Sequence, residues 1–405
     1  MTVWKRNLIV CWIGTFTTSA GVNFVIPFMP FYIQQLGVKN LSAVEQLSGI
    51  SFSITFLAAA LMSPFWGKLA DTKGRKLVMM CTSLGLAVVN LSFLFAKNVE
   101  MLIFFRMIQG LVSGYNPAAN SLIAKETPSD KAGWALATLS TGMMAGTLLG
   151  PVIGGYLDEL VGIRYVYIFT TLFLFFSFSI ATLFLVDNKS DKTLLIVTQQ
   201  KPGPIWERID AKFFVFSLML SACLMNTANQ SIEPIVSLYV KNLLIMANTA
   251  TSHVSLYSGI VISATGLGIL LSASFIGRLA DRTNYMIVIR VSLIASAIVF
   301  LPMAFVKNAW ELMALRFLLG ITQAGILPII YTLLRNSTPS EISGRVFGYN
   351  QAGLYIGLVL GPLLGSEISS HFGFSDIFLT TASILVINFI VISFAGKRVQ
   401  IHDKA

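Results

Sequence analysis

Long apolar runs, separated by short polar stretches, make up almost the whole chain. A membrane-spanning helix needs about 20 mostly apolar residues, and twelve runs of roughly that length can be recognised. In chain order they cover residues 7–33, 46–67, 76–96, 100–124, 132–157, 164–186, 211–240, 253–277, 284–306, 310–334, 343–369 and 374–395. We number these runs spans 1 to 12 and predict an all-α membrane protein with 12 transmembrane helices.

The composition agrees with this pattern. Hydrophobic residues make up 55% of the chain and charged residues 11%, whereas soluble domains contain roughly 25% charged residues. Lys5 and Arg6 precede the first apolar run, as in a signal peptide, but that run is longer than the ~7–15 residues of a signal-peptide core. We therefore interpret it as the first membrane helix.

The two halves of the chain repeat each other. The stretch "LIFFRMIQG" at 102–110 matches "LMALRFLLG" at 312–320, and Pro151 matches Pro362 at nearly the same offset. The longest polar stretch lies between the repeats. We predict two pseudo-symmetric six-helix bundles, at 1–186 and 211–405, joined by a cytoplasmic linker at 187–210. Parallel repeats of this kind form one large class of transporters, with the binding site between the halves.

The distribution of positive charge predicts the orientation. Of the 28 Lys and Arg residues, 21 lie on the side of the two termini, five on the opposite side and two inside spans. Positive residues concentrate on the cytoplasmic side of membrane proteins, so we expect both termini to be cytoplasmic and the membrane to be the plasma membrane. This topology accounts for the net charge of +10, so nucleic acid is not needed as a partner. We expect membrane lipids as partners instead.

Span 7 carries a stripe of polar residues. Asn226, Asn229, Gln230 and Glu233 share one helical face, and such a stripe must face protein or water instead of lipid. Glu233 is our main candidate for proton exchange, because ionisable residues inside a membrane are costly and mark functional sites. A hydrogen-bonded acid that only holds the helix is the alternative.

Two arginines recur inside spans 4 and 10, at Arg106 and Arg316. Since Arg stays charged, it can tune a neighbouring acid but cannot carry the proton itself. We assign a coupling role to Arg106 and a structural role to Arg316. Glu367 near the outer end of span 11 is a third coupling candidate, and we expect it to pair with Arg316.

Glycines recur every four residues in span 5. Gly146, Gly150 and Gly154 form one groove, and Pro151 can bend the helix there. This groove is either a plain helix-packing surface or the face on which the two halves rock. Two acids near the outer end of this span, Asp158 and Glu159, are predicted to be solvated.

Three motifs resemble the major facilitator superfamily. They are "GKLADTKGRK" at 67–76, "RMIQGLVSG" at 106–114 and "GTLLGPVIGG" at 146–155. With twelve spans, they are similar to the twelve-span drug:proton antiporters, in particular the fluoroquinolone and multidrug efflux proteins of Gram-positive bacteria. Unlike many of those exporters, this chain has no acid in span 1.

The resemblance implies a gating role for the first motif and its second copy, at Gly67, Asp71, Gly74, Arg75 and Asp281. It further implies that Asp71 contacts the start of span 11, near residues 343–345, and that this contact breaks on inward opening. By analogy with the fold, spans 1, 4, 7, 10 and 11 supply the substrate-binding residues. These are Asn23, Phe24, Tyr115, Asn116, Asn120, Asn226, Asn229, Gln230, Gln323 and Tyr355.

We therefore predict a proton-coupled exporter of lipophilic neutral or cationic drugs that works by alternating access as a monomer. Two alternatives are an exporter or importer of a defined metabolite, such as a sugar or lipid precursor, and a membrane receptor or scaffold without transport. An enzyme is not expected, because no nucleophile–base cluster or metal-ligand spacing occurs. No cofactor and no metal are expected, and the chain has no phosphate-binding GxxxxGK[ST] loop.

Overall fold

The computed structural model describes residues 2–128, 130–187, 209, 211–248, 253–339 and 342–402, with side chains up to residue 396. This part of the chain is helical, with short connections. The first half contains α1 (Val3–Asn23), α2 (Met29–Gln35), α3 (Leu41–Lys73), α4 (Arg75–Ser92), α5 (Val99–Leu111), α6 (Tyr115–Glu126), α7 (Ala132–Val161) and α8 (Ile163–Phe184). The second half contains α9 (Lys212–Ile232), α10 (Val236–Met246), α11 (Val254–Arg282), α12 (Tyr285–Met303), α13 (Ala309–Gln323), α14 (Ile326–Asn336), α15 (Ser343–Phe372) and α16 (Phe374–His402).

The predicted membrane spans are present as helices. Within the described residues, ten helical stretches are long and apolar enough to cross a membrane. The two other predicted spans, 100–124 and 211–240, are each divided between two helices, α5–α6 and α9–α10. The predicted fold class, an all-α membrane protein, is confirmed. Most of the predicted linker at 187–210 lies outside the described residues.

Helix breaks recur at equivalent places in the two halves. Span 1 breaks before Pro27 and span 7 breaks before Pro234, because proline has no backbone N–H to continue the helical hydrogen bonds. Span 4 breaks at Gly114 and span 10 at Gly325, between the helices on either side. Irregular backbone at membrane depth is tolerated where it is covered by protein or lines a cavity. The breaks therefore indicate where a cavity can form.

Each half packs around its own interior. All buried members of the largest apolar cluster belong to the second half, between Ile209 and Ala395, and three smaller clusters lie almost wholly in the first half. The halves meet along two seams, one between α3 and α15 and the other between α7 and α11. The candidate functional site lies between these two seams.

Candidate functional site

The two halves enclose a cavity of about 340 Å³ at the level of the helix breaks. Its polar wall includes seven residues from α1, α9, the break after α9, and α13: Asn23, Asn226, Asn229, Gln230, Glu233, Arg316 and Gln323. Six of them were predicted substrate or proton-coupling residues, and the structure brings these six together. Phe52 and Phe56 of α3 add aromatic surface. The cavity thus has a mostly apolar wall on the first half, interrupted by Asn23 and Thr147, and carries both of its charged groups on the second half.

An ion pair lies in the polar wall. Glu233 Oε1 is 3.6 Å from Arg316 Nη1, and the side chains are 27% and 4% exposed, respectively. Glu233 follows the last residue of α9, so the break before Pro234 directs this acid toward the cavity. This ion pair links the end of α9 to α13 within the second half. It stabilises that contact only while both partners stay charged.

The predicted pair between Arg316 and Glu367 is wrong. Glu367 is 61% exposed at the end of α15, where it contacts His371 at 3.4 Å and accepts a hydrogen bond from Gln46 at 3.1 Å. Glu367 lies too near the helix end to reach the membrane interior. Arg316, which we predicted to be structural, is instead the partner of the cavity acid.

Several donors in the wall have no partner. Within the described part of the chain, Arg316 Nε and Nη2, Gln323 Nε2 and the Thr265 hydroxyl are buried and form no hydrogen bond. Buried polar groups normally find partners, and all three residues line the cavity. The wall can therefore donate hydrogen bonds to acceptor groups of a substrate or to water, while Glu233 accepts.

Arg106 lies behind the cavity wall and does not line it. Its Nη1 donates to Gln109 Oε1 at 2.9 Å, its Nη2 lies 3.7 Å from the Met29 sulfur, and the guanidinium is stacked 5.5 Å from the centre of the Phe93 ring. The structure gives it no acidic partner within salt-bridge distance among the described residues. Arg106 is therefore a buried charge that packs against other side chains and whose hydrogen-bond donors are only partly satisfied.

The other predicted substrate residues lie elsewhere. Phe24 is buried edge-on against Phe173 of α8, and Tyr115 is buried beside Gly14. Asn116 contacts the Ser19 hydroxyl at 3.5 Å, and Asn120 is exposed. Tyr355 lines a separate cleft between α3 and α15. We predicted all five from helix number alone, and the structure shows that several of them face other helices.

The glycine groove of span 5 packs inside its own half. A Cβ at Gly150 would lie 2.7 Å from the Asn23 Cβ, and one at Gly154 would overlap the Phe24 backbone. Gly146 likewise packs on α1. The small residues allow α7 to approach α1 closely. Of our two interpretations, the packing surface is the one that the structure supports for these three glycines.

A neighbouring face of α7, about 100° around the helix, contributes to a seam between the halves. The Pro151 carbonyl lies directly against Gly259 of α11, and Gly155 lies against the Ser255 backbone. In the other seam, Gly49 of α3 lies against the Pro362 carbonyl. These close backbone contacts seal the two seams on the side opposite the termini, which we call the far side.

The side that carries the termini, which we call the terminal side, is open. Gly67 and Gly277 lie in the last two turns of α3 and α11 there, and Gly344 lies near the start of α15; a Cβ at any of these positions would meet no atom within 4 Å. Between α3 and α15, residues such as Leu57, Pro64 and Gly348 line a cleft of about 520 Å³. Along α3 this cleft lies between the cavity residues Phe52 and Phe56 and the terminal-side end of the helix, so the seam that is sealed on the far side is open on the terminal side.

The loop after α3 follows this opening. Asp71 is 64% exposed and contacts Arg75 at 3.4 Å. Among the described residues, no hydrogen bond or ion pair joins Asp71 to residues 343–345, so the contact implied by the resemblance is not formed in this conformation. Arg75 Nε also donates to the Ser121 hydroxyl at 2.9 Å. The loop is thus tied to its own half.

The backbone conformation at residue 74 explains why this position is a glycine. Its φ of +104° is a backbone conformation that favours glycine. Asp187 accepts a hydrogen bond from the Lys76 backbone N–H at 3.0 Å and so caps α4. In the second copy, Asn284 caps α12 itself through the Met286 N–H, and Asp281 accepts from the Tyr285 hydroxyl at 2.6 Å.

Sequence reasoning missed one acid. Glu45 of α3 is only 3% exposed. The prediction placed it outside span 2, because α3 begins at Leu41, five residues before the predicted start of that span. It lies beside Ser369 of α15 in a seam. The signal was present in the sequence, since Glu45 directly precedes an apolar run, but boundaries of predicted helices shift by a few residues.

Two broken-helix bundles around a central cavity, closed on one side and open on the other, define a multi-pass membrane transporter fold. The sequence model of the Major Facilitator Superfamily matches residues 11–252 and 218–404, and this chain belongs to that superfamily.

Curated relatives cover nearly the whole chain. "Multidrug resistance protein MdtG" of Salmonella typhi is 42% identical over 388 residues, covering 95% of this chain and 94% of the relative. The protein of the same name from Proteus mirabilis (strain HI4320) is 40% identical over 389 residues, covering 96% of this chain and 95% of that protein.

Solved structures share the fold at low sequence identity. A bacterial homologue of the human lysosomal transporter Spinster, in an inward-facing and unoccupied conformation, gives a TM-score of 0.78 at 14% identity, covering 98% of each chain. The human organic anion transporter MFSD10 (TETRAN) gives a TM-score of 0.67 at 16% identity, covering 97% of this chain and 100% of that one.

Proposed function

We propose that this protein exports lipophilic neutral or cationic drugs across the plasma membrane in exchange for protons, by alternating access. The relatives named as multidrug resistance proteins, at 40% and 42% identity over nearly the whole chain, support the drug-export part. The observation that carries the coupling part is the pair of Glu233 and Arg316 in the cavity wall. Membrane acids of this kind recur in proton relays.

The proposed exchange uses one carboxylate for two ligands. An ionised Glu233 can attract a cationic or hydrogen-bond-donating substrate, whereas a protonated Glu233 cannot hold a cation. The same acid therefore binds either a proton or the drug, and the two can move in opposite directions. Arg316 stays charged throughout and attracts the carboxylate whenever the drug has left. The aromatic and amide groups around the pair give a wall that can adapt to different drugs.

The proposal also covers the domain boundaries, the orientation in the membrane and the partners. We propose bundles at 1–186 and 211–405, a linker at 187–210, and cytoplasmic termini, which the excess of Lys and Arg on the terminal side supports. The open terminal side then faces the cytoplasm. The partners are small lipophilic drugs, protons and membrane lipids, and the protein acts as a monomer. Arg106 and Glu367 were also predicted as coupling residues from the sequence, but neither lines the cavity, and the exchange proposed here assigns the proton to Glu233 alone.

The test is efflux of ethidium from cells that lack their own drug exporters, with and without a protonophore. Wild type should export the dye, and the protonophore should abolish export. Glu233→Gln keeps the shape of the side chain and removes its charge, so it should reduce protonophore-sensitive efflux roughly tenfold or more. Expression and folding are checked by size-exclusion chromatography of the solubilised protein.

The matched control is Glu367→Gln, an acid of the same half at the exposed end of α15. It should export at close to the wild-type rate. If Glu233→Gln exports normally and stays sensitive to the protonophore, Glu233 is not the coupling acid. If the wild type exports neither ethidium nor other lipophilic cations, the drug-export proposal fails and a defined metabolite becomes the better substrate.

A further inference from the structure

Two acids at the far end of α7 contact the other half of the molecule. Asp158 accepts a hydrogen bond from the Ser255 hydroxyl, and Glu159 Oε1 accepts one from the Leu256 backbone N–H at 3.0 Å. Glu159 Oε2 also lies 2.9 Å from His253 Nδ1. The Glu159 side chain is only 14% exposed. The expectation that these acids are solvated is therefore wrong.

The Glu159 contact has the geometry of a helix cap. The first four N–H groups of a helix have no partner inside that helix, and a side-chain oxygen on the N–H of the second or third residue is the usual cap. Leu256 is the third residue of α11, and the residue before the helix, His253, provides no side-chain cap. A carboxylate from the other half provides it, and its negative charge also suits the positive end of the helix.

The equivalent helix of the first half does not depend on the other half in this way. α3 begins after Asn40, whose own side chain accepts a hydrogen bond from the Ala43 N–H at 3.3 Å. α3 therefore keeps its cap whichever way the halves move. α11 loses its cap when α7 moves away.

The backbone contacts place this cap at the point of closest approach between the halves. Gly155 is one turn before Glu159 and lies against the Ser255 backbone, and the Pro151 carbonyl lies against Gly259. There is no room for water between the helices along this stretch. Opening of the far side must separate these surfaces and, with them, the carboxylates from the α11 terminus.

We infer that Glu159, supported by Asp158, is the gating residue that holds the far side closed, by capping α11 across the two halves. The inference rests on the proposed alternating access, but it does not depend on what is transported or on protons. Loss of the cap removes an interaction that exists only in the far-side-closed state. It therefore shifts the population toward the far-side-open state by the free energy of that interaction.

Cysteine labelling from outside the cell measures this population. Cys11, Cys81 and Cys223 are replaced by serine, and Thr147→Cys introduces one thiol in the cavity wall. A membrane-impermeant maleimide applied to intact cells reaches this thiol only when the far side is open. Glu159→Ala should increase the labelling rate roughly threefold to tenfold, as expected for loss of a helix cap.

Two further variants make the result specific. Glu159→Gln keeps an oxygen for the Leu256 N–H but loses the charge, so its labelling rate should lie between those of wild type and Glu159→Ala. Glu100→Ala removes an exposed acid at the far-side start of α5, for which the described residues provide no contact across the two halves, and it should leave the rate unchanged. Ser255→Ala removes the Asp158 contact from the partner side and should raise the rate, which covers the case in which Glu159→Ala does not fold.

The outcomes separate this inference from the proposed function. An unchanged labelling rate in folded Glu159→Ala, or an equal increase in Glu100→Ala, would overturn the gate. If Glu159→Ala does not fold, an unchanged rate in Ser255→Ala has the same consequence. An increase in Glu159→Ala alone, in a protein that exports no ethidium, would support the gate while the drug-export proposal fails.

Discussion

Arg106 and Arg316 occupy equivalent positions in the two halves, but their surroundings differ. Both are almost fully buried, at 4% and 3% exposure. Arg316 meets Glu233 in the cavity wall, whereas Arg106 meets Gln109 and the Met29 sulfur behind it. The same ancestral arginine has therefore become part of the cavity in one half and part of the packing in the other.

The reason for the difference lies one helix away. At the offset that aligns Pro27 with Pro234, the first-half counterpart of Glu233 is Ile26. Both residues line the cavity, so the repeat places equivalent positions at the same surface and only the side chains differ. An acid on one side attracts its arginine to the cavity. A duplicated scaffold can thus keep its geometry while one half alone acquires the chemistry.

The largest expected effect comes from removing the two arginines separately. Arg316→Met leaves Glu233 in the cavity wall without a cation, which should lower ethidium efflux per folded molecule roughly tenfold or more. Arg106→Met replaces a charge that has no acidic partner, so efflux per folded molecule should change by no more than about threefold. Folded protein is quantified by fluorescence-detected size-exclusion chromatography. Equal losses of efflux would remove the contrast between the halves.

The two halves should respond alike where only packing is involved. Gly154→Ala and Gly365→Ala each place a Cβ on the backbone of the neighbouring helix, at Phe24 and Ser231. Each change should destabilise the protein by about 1–3 kcal/mol, seen as a lower unfolding temperature in detergent. Gly344→Ala, in open space on the terminal side, is the control and should leave that temperature unchanged. A large effect in one half alone would contradict equivalent packing.

The smallest expected difference concerns the two copies of the charged loop. Asp71 contacts Arg75, which also binds α6 through Ser121, whereas Asp281 contacts Tyr285 at the start of the next helix. Asp71→Asn should therefore reduce efflux by about twofold to fivefold, and Asp281→Asn by less. Initial rates of ethidium efflux test this, and equal rates in the two variants would count against unequal loops.

Much of the cavity was predictable because it follows from helical periodicity. The stripe of Asn226, Asn229, Gln230 and Glu233 shares one face of any helix, and a polar face inside a membrane must turn toward protein or water. Asn23 and Gln323 were predicted by analogy with the fold that the resemblance implied. Phe24 and Tyr115 did not fit: Phe24 lies one position after the cavity residue Asn23, and Tyr115 is buried against Gly14 of α1. Both follow or precede a helix break, and the angle of a break cannot be derived from residue spacing.

The sequence by itself determined the class of fold, the number of spans and their repetition, since length, hydropathy and recurring Gly and Pro positions are local properties. It also identified the main candidate acid, Glu233. Only the tertiary structure decided which groups meet: Glu233 with Arg316 instead of Glu367 with Arg316, and Glu159 with the start of α11 instead of water. Such pairs join residues about 80 to 100 positions apart in the chain, and they depend on how the helices tilt and break. The order of residues along the chain does not by itself specify these helix tilts and breaks.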